Sequence, residues 1–232
     1  MKLHLELPLK FWGINQAFGK NFNSFYKEMG LLGHNGIDFW APDSTEVYAT
    51  HDGRVTFTGY DGAGGLGVVI RTTELFDYGN EQVYYKSIYW HLKKDTIKIT
   101  GGQTVKAGDL IALADNTGRS TGAHLHFGLK PIMKGEEDWV WYNFEPENGY
   151  NGAIDPMPYF DRYYFSKPMR FGDKNNDVGE LQKWLNKIQN ANLVVDNKFG
   201  KLTKASVIKF QLSHSLVGDG IVGVKTLSDL NR

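Results

Sequence analysis

The sequence predicts a mostly antiparallel β N-terminal part, a sandwich or split barrel, followed by an all-α C-terminal part that forms a three-helix bundle. Three observations predict it. Up to His126, short runs rich in Val, Ile, Thr and Tyr follow one another with Gly- and Asp-containing turns between them and almost no helical periodicity. Later, Leu181, Trp184, Leu185 and Ile188 fall at i, i+3, i+4 and i+7, one face of a helix. Finally, Asp196-x-x-Phe199-Gly200-x-x-Thr203 recurs 23 residues on as Asp219-x-x-Val222-Gly223-x-x-Thr226. Each copy reads as a turn leading to a Thr that can cap a following helix.

Taken in order, Lys2 to Lys10 alternates Leu with polar residues or Pro and lacks a continuous apolar core, so it reads as a half-buried strand and not a signal peptide. Ile14–Gly19 has β character, and residues 20–33 form a mixed connection with a short helix at Phe22–Met29. Gly36 and the turn-prone Asn35 disfavour helix, which places His34 on a turn and Asp38 on the strand Ile37–Trp40. Val47–Thr50 and Arg54–Thr58 flank His51-Asp52-Gly53, where Asp-Gly suits a tight hairpin and leaves His51 facing solvent.

The run Asp61-Gly-Ala-Gly-Gly-Leu-Gly67 is not a phosphate loop, because Val68-Val-Ile70 continues as a strand instead of opening a helix. Its glycines either admit a substrate backbone or simply make a turn. Residues 72–82 are polar, Val83–His91 returns as a strand, and Val105–Leu113 is a turn followed by a buried strand. Asn116–Gly122 is a Gly/Ser/Thr loop that feeds into His124. The aromatics Trp139, Trp141, Tyr142 and Phe144 belong either to the core or to a groove wall. In the helical part, Asp177 with Glu180 suits a capping box for the first helix. A second helix runs from Thr203 to about His214, burying Val207, Phe210 and Ile208 or Leu212, and a third spans Thr226–Leu230.

Composition narrows the function classes. With 26 basic and 26 acidic residues the chain offers no net charge for nucleic acid, and without Cys it has neither a disulfide framework nor a thiolate metal site. The charge is unevenly spread: residues 167–232 hold 11 basic and 6 acidic side chains, leaving 15 and 20 in residues 1–166. No run approaches the ~18 apolar residues of a membrane span, so membrane insertion is not expected.

The chemistry-bearing residues lie in the β part. His124 and His126, two apart on a strand, project from one face about 7 Å apart. His34 and Asp38 add one nitrogen and one carboxylate. Two His and one Asp make a ligand set that suits one zinc ion and leaves a fourth tetrahedral position open, as in a hydrolase rather than a structural site.

His34-x-Gly-x-Asp38, Tyr89-Trp-His91-Leu92 and Gly118-Arg-Ser-Thr-Gly122-Ala-His124-Leu-His126-Phe127 resemble, in order, the three signatures of the lysostaphin-type zinc metallopeptidases, which cut bacterial peptidoglycan. The resemblance covers roughly residues 9–160, and Gly152–Phe160 resembles the last piece of that fold. The entry to the 47–58 hairpin lacks the family's Gly-Thr-Pro, and 72–82 is longer than the family norm. The resemblance implies that His34, Asp38 and His126 bind zinc, while His91 and His124 flank the attacking water as base and hydrogen-bond donor. His4 and His214 belong to no signature.

Gly172-Asp173 through Leu181-Gln182, with Phe210-Gln211 and the repeat, resembles the three-helix peptidoglycan-binding domain. The implied organisation is a catalytic domain over 1–160, a linker at 161–172 and a binding domain over 173–232. The implied function is a monomeric zinc endopeptidase that cleaves stem-peptide or cross-bridge amides of peptidoglycan, its binding partner. A catalytically inactive binding or regulatory protein and a protease of Gly-rich proteins are the alternatives. A chain that acts on the wall without a signal peptide is expected to be a phage endolysin delivered through a membrane lesion, with an extracellular protein exported by another route as the alternative.

Overall fold

The computed structural model describes residues 1–10, 13–20, 25–137, 140–160 and 167–230. It forms two compact units, Met1–Asp161 and Arg162–Arg232. Much of the expected linker, 161–166, lies outside the described residues, as do Trp139 and the start of the Phe22–Met29 helix.

In the first unit the strands are β1 (Ile14–Gln16), β2 (Ile37–Trp40), β3 (Glu46–Tyr48), β4 (Gly53–Asp61), β5 (Gly65–Arg71) and β6 (Phe76–Tyr78). They continue as β7 (Glu81–Trp90), β8 (Thr104–Val105), β9 (Leu110–Leu113), β10 (His124–Lys134) and β11 (Trp141–Asn143). One short helix, α1, covers Phe25–Glu28. The strand pairings are antiparallel, in a large sheet ordered β1-β2-β10-β7-β5-β4-β8 with β11 added beside β10 and β6 beside β7. β3 and β9 form a separate two-stranded sheet. The expected antiparallel β architecture is therefore present.

Alternation divides the sheet's residues between two faces. Ile37 and Phe39 of β2, Val68 and Ile70 of β5, Tyr85 and Tyr89 of β7, and Leu125, Phe127 and Leu129 of β10 are all buried. Phe39, Phe127 and Phe160 pack with ring centroids 5.7–6.3 Å apart. Each such burial contributes about 1.5–3 kcal/mol, and together these residues fix the register in which β10 lies between β2 and β7. The residues between them, Asp38, Lys86, Ile88, Trp90, His124 and His126, occupy the opposite face.

Several local expectations are corrected. Leu3, Leu5 and Leu9 are buried as the alternation implies, yet residues 1–10 form no strand and are held by a bridge from Leu5 to Phe160 and by hydrogen bonds from the Tyr48 amide to the Pro8 carbonyl and from the Asp77 amide to the Met1 carbonyl. β3 and β4 do not form a hairpin: β3 pairs with β9, whereas β4 pairs with β5 and β8. Gly53 is needed because a Cβ there would lie 2.4 Å from the Arg71 carbonyl oxygen, not for a positive φ. His51 is 4% exposed, with Nε2 2.9 Å from Ser87 Oγ and Nδ1 2.9 Å from the Asp52 carbonyl oxygen. The residues around 72–82 form the hairpin of β6 and β7 across Gly79, at φ +61°.

In the second unit α2 spans Asn176–Gln189, α3 Lys201–Ser213 and α4 Val224–Leu230. Asn175 caps α2, its side chain accepting from the Val178 amide, in place of the expected Asp177. Met169, Val178, Leu181, Leu185, Phe199, Val207, Phe210, Val222 and Leu230 form the core. Ile188, expected inside, is exposed; of the alternatives Ile208 and Leu212, Leu212 is exposed and Ile208 half-buried, while Gln182 and Gln211 are buried.

The repeat explains those glutamines. Gln182 Nε2 donates to Asp196 Oδ1, the Lys198 carbonyl and Thr203 Oγ1, and its Oε1 accepts from the Asp196 and Asn197 amides. Gln211 repeats the pattern with Asp219, the Ile221 carbonyl, Thr226 and the Gly220 amide. Thr203 and Thr226 thus lie inside their helices as buried partners of a glutamine, not at the N-caps. No helix among the described residues is long and apolar enough to cross a membrane.

Candidate metal centre and catalytic groove

Register brings the ligands together. β10 pairs with β2 so that His126 lies opposite Asp38 and His124 opposite Trp40. His34 arrives from the turn before β2, held by hydrogen bonds from its amide to the Lys20 carbonyl and from the Gly19 amide to its own carbonyl. The glycine in His34-x-Gly-x-Asp38 has a steric cause: a Cβ on Gly36 would stand 2.7 Å from the His126 ring and 2.6 Å from the Phe127 carbonyl oxygen. Gly33 is constrained the same way, 2.5 Å from the Gly19 carbonyl oxygen.

Three donors converge. Asp38 Oδ1 lies 3.1 Å from His34 Nε2 and 3.0 Å from His126 Nδ1, and those two nitrogens are 3.0 Å apart. A tetrahedral zinc with bonds of ~2.0–2.1 Å has ligand edges of roughly 3.3–3.4 Å, so this triangle fits zinc with a small expansion. His34 Nδ1 faces the Ala17 carbonyl oxygen at 3.3 Å and donates to it when Nε2 is the ligand, the outer-sphere contact that fixes a ligating tautomer. Burial works to raise the Asp38 carboxyl, but hydrogen bonds from His126 and His34 outweigh it and hold the group well below the usual carboxylate range. Burial lowers His126, against the raising effect of Asp38. Both shifts favour the deprotonated forms that bind a metal.

His91 and His124 stand beside this triangle. His91 follows β7 in the left-handed region, at φ +62°, anchored by its amide to the Gly64 carbonyl and by its carbonyl to the Asp115 amide. Its Nδ1 is 2.7 Å from the Thr117 carbonyl oxygen, and burial pulls the ring down to about 4. His124 Nδ1 is 2.8 Å from the Gly122 carbonyl oxygen, while its Nε2 lies 3.5 Å from Asp38 Oδ1. The two rings are 4.5 Å apart. A carbonyl oxygen only accepts, so in each ring Nδ1 carries the hydrogen, leaving Nε2 of the neutral imidazole as a proton acceptor.

These residues line an open groove of about 760 Å3. Its walls include residues the sequence reading did not single out. Tyr26 accepts from Gln16 Nε2 and packs 5.7 Å from the His34 ring, and Arg119 lies 4.4 Å from the Phe25 ring. Gly64 and Gly67 do leave room for a neighbour, but that neighbour is the Trp90 ring, which a Cβ on Gly67 would meet at 1.6 Å. Gly65 lies against the Thr117–Gly118 backbone. Trp141 is half-buried at 4.0 Å from the Arg71 guanidinium, and β11 is an outer strand of the sheet. The sequence placed all five site residues in one groove; His4 and His214 are exposed and belong to no part of it.

Comparison with known proteins agrees with this geometry. Residues 32–138 match the profile described as Peptidase family M23, and residues 174–230 match that described as "Putative peptidoglycan binding domain". An uncharacterized metalloprotease of Haemophilus influenzae is 44% identical over 94 residues, covering 40% of this chain and 18% of that protein. The peptidoglycan DD-endopeptidase ShyB of Vibrio cholerae is 43% identical over 97 residues, covering 42% and 20%. The glycyl-glycine endopeptidase ALE-1 of Staphylococcus capitis is 29% identical over 211 residues, covering 89% and 46%. The chain thus spans less than half the length of these relatives. His34, Asp38 and His126 are a zinc site of the kind M23 peptidases carry.

Proposed function

We propose that this chain, an M23 peptidase domain followed by a peptidoglycan-binding domain, is a zinc endopeptidase that hydrolyses peptide amides of bacterial peptidoglycan. The observation that carries the reading is the triangle of His34, Asp38 and His126 with His91 and His124 beside it in one groove. Bound zinc supplies Lewis acidity, polarising the scissile carbonyl and lowering the pKa of the attacking water.

The remaining steps fall to the chain's own groups. Asp38 and the two ligating histidines hold their donor atoms in place through the β2–β10 ladder. Nε2 of one of His91 and His124 accepts the water proton as its oxygen bonds to the carbonyl carbon. The other imidazole orients the water or stabilises the developing oxyanion. When the C–N bond breaks, the proton held at Nε2 passes to the departing amine. The groove, open along the strand face, admits an extended peptide, and the second unit is proposed to hold the enzyme on the wall. A phage endolysin origin belongs to this proposal.

Purified walls of different cross-link chemistry, digested and examined by mass spectrometry for new amino and carboxyl termini, test the reading. Defined peptide termini that appear with zinc and disappear on chelation are expected. Full lysis by a metal-free sample overturns it.

A further inference from the structure

Lys86 and Lys130 face one another across the β7–β10 ladder. His126, Gly128 and Lys130 alternate onto one face of β10, and Trp90, Ile88 and Lys86 are their register partners on β7. Both lysines line the groove that holds the metal ligands. Four residues of strand separate Lys130 from His126, a distance of about 13 Å. The same cross-strand row continues on β5, where Arg71 pairs with Lys86. The Arg71 guanidinium lies 4.0 Å from the Trp141 ring, and its Nε is buried without a hydrogen-bond partner.

Nothing among the described residues neutralises this row. No carboxylate forms an ion pair with Lys86, Lys130 or Arg71. Like charges placed directly opposite in a sheet oppose folding, and burial adds to that cost. Lys130 is 7% exposed; burial first, then the charge of Lys86, pulls its ammonium down to about 8. Burial lowers Lys86 as well. A groove floor needs no such pair for its shape, whereas an anion arriving from outside gives both lysines the partner they lack.

We propose that Lys86 and Lys130 form an anion-binding subsite that holds a free carboxylate of the peptide being cut, a few residues along from the scissile bond. The inference rests on the peptidase reading and narrows it to an acidic peptide stem in place of an uncharged glycine bridge. An extended peptide advances about 3.3 Å per residue. A carboxylate roughly two to four residues from the scissile amide therefore comes within reach of a lysine side chain.

The test compares short acyl peptides that differ only in carrying free carboxylates or primary carboxamides, using the zinc-loaded full chain. The acid form is expected to show a KM about tenfold lower than the amide, the scale of one charge-assisted hydrogen bond. In Lys86→Gln and Lys130→Gln the acid-to-amide ratio should fall toward one, and Lys86→Arg should restore much of it. Equal KM values for acid and amide in the unmodified protein overturn the subsite, as does a preference that survives both Gln substitutions. If neither peptide is cut, the peptidase reading has failed, and calorimetric binding of the same two peptides decides the subsite by the same criteria. If Lys130→Gln does not fold, Lys86→Gln, at a half-buried position, carries the comparison.

Discussion

His126 and Asp38 are register partners in the β2–β10 ladder, and their facing atoms stand 3.0 Å apart across 88 residues of sequence. The metal site is therefore built by strand pairing, and its geometry is only as secure as the apolar residues, Phe39 and Phe127 among them, that set that pairing. Asp38 is the common neighbour of both nitrogens. Asp38→Ala should lower zinc content from about one per chain to a small fraction, with loss of activity. Metal analysis of the purified variant checks this, and near-stoichiometric zinc counts against the assignment.

His91 and His124 make no part of the ligand triangle. His91→Ala and His124→Ala should each keep most of the zinc while lowering turnover roughly 100-fold or more, the scale of a lost acid–base or oxyanion group. Zinc content and kcat measured on the same samples separate this from a ligand role. If His124→Ala loses zinc and His126→Ala retains it, the two roles within the His-x-His pair are exchanged.

His51 predicts a pH effect on stability. Burial lowers its pKa in the folded protein, so the unfolded chain takes up the proton first, near the ordinary value of about 6.5. Between the two values the unfolded state binds more protons, and stability rises with pH. The neutral ring's contribution is thus complete above about 6.5 and declines as pH falls toward the lowered value. His51→Gln should flatten the fall in Tm between neutral and mildly acidic pH, measured with zinc bound in both proteins. An unchanged slope argues that other groups carry the acid sensitivity.

The buried glutamines of the helical unit make a separate prediction. Gln182 and Gln211 are themselves buried, and each bonds a buried Thr hydroxyl together with loop backbone groups. Gln182→Leu and Gln211→Leu should each destabilise that unit by about 1–3 kcal/mol, the cost of leaving buried polar groups unpaired. Amide hydrogen exchange in α2 and α3 reads the effect where it occurs. Protection equal to that of the unmodified chain excludes the network as a stabilising feature.

Legibility in the sequence followed the range of the interaction. The metal residues could be read because the two-residue strand period and the local His34-to-Asp38 spacing already put donors on one side. The three helices could be read because their apolar periodicity is local. The supposed hairpin at Asp52-Gly53 failed because an Asp-Gly pair resembles a turn whether or not its flanking strands pair, and β3 instead pairs with the distant β9. His51 was misplaced by the same step. Thr203 and Thr226 resemble caps until Gln182 and Gln211 are seen to reach them. Lys86 and Lys130 read as ordinary polar positions of half-buried strands, since alternation cannot tell a groove from open solvent.

The last prediction concerns the division of labour between the two units. All five site residues precede residue 127, whereas residues 167–232 carry 11 basic and 6 acidic side chains and a core of their own. Bacterial walls are extended and commonly anionic, so a basic binding unit would raise the local concentration of the catalytic unit on them. The electrostatic part of that attachment is screened by salt. Truncation after Ser166 should leave hydrolysis of a small soluble stem peptide nearly unchanged while reducing lysis of intact walls, most clearly at low enzyme concentration. The isolated 167–232 fragment should sediment with purified walls, less so as ionic strength rises. A folded fragment that stays in the supernatant at low salt, together with undiminished wall lysis by the truncated chain, would make the helical unit a stabilising appendage and not a targeting one.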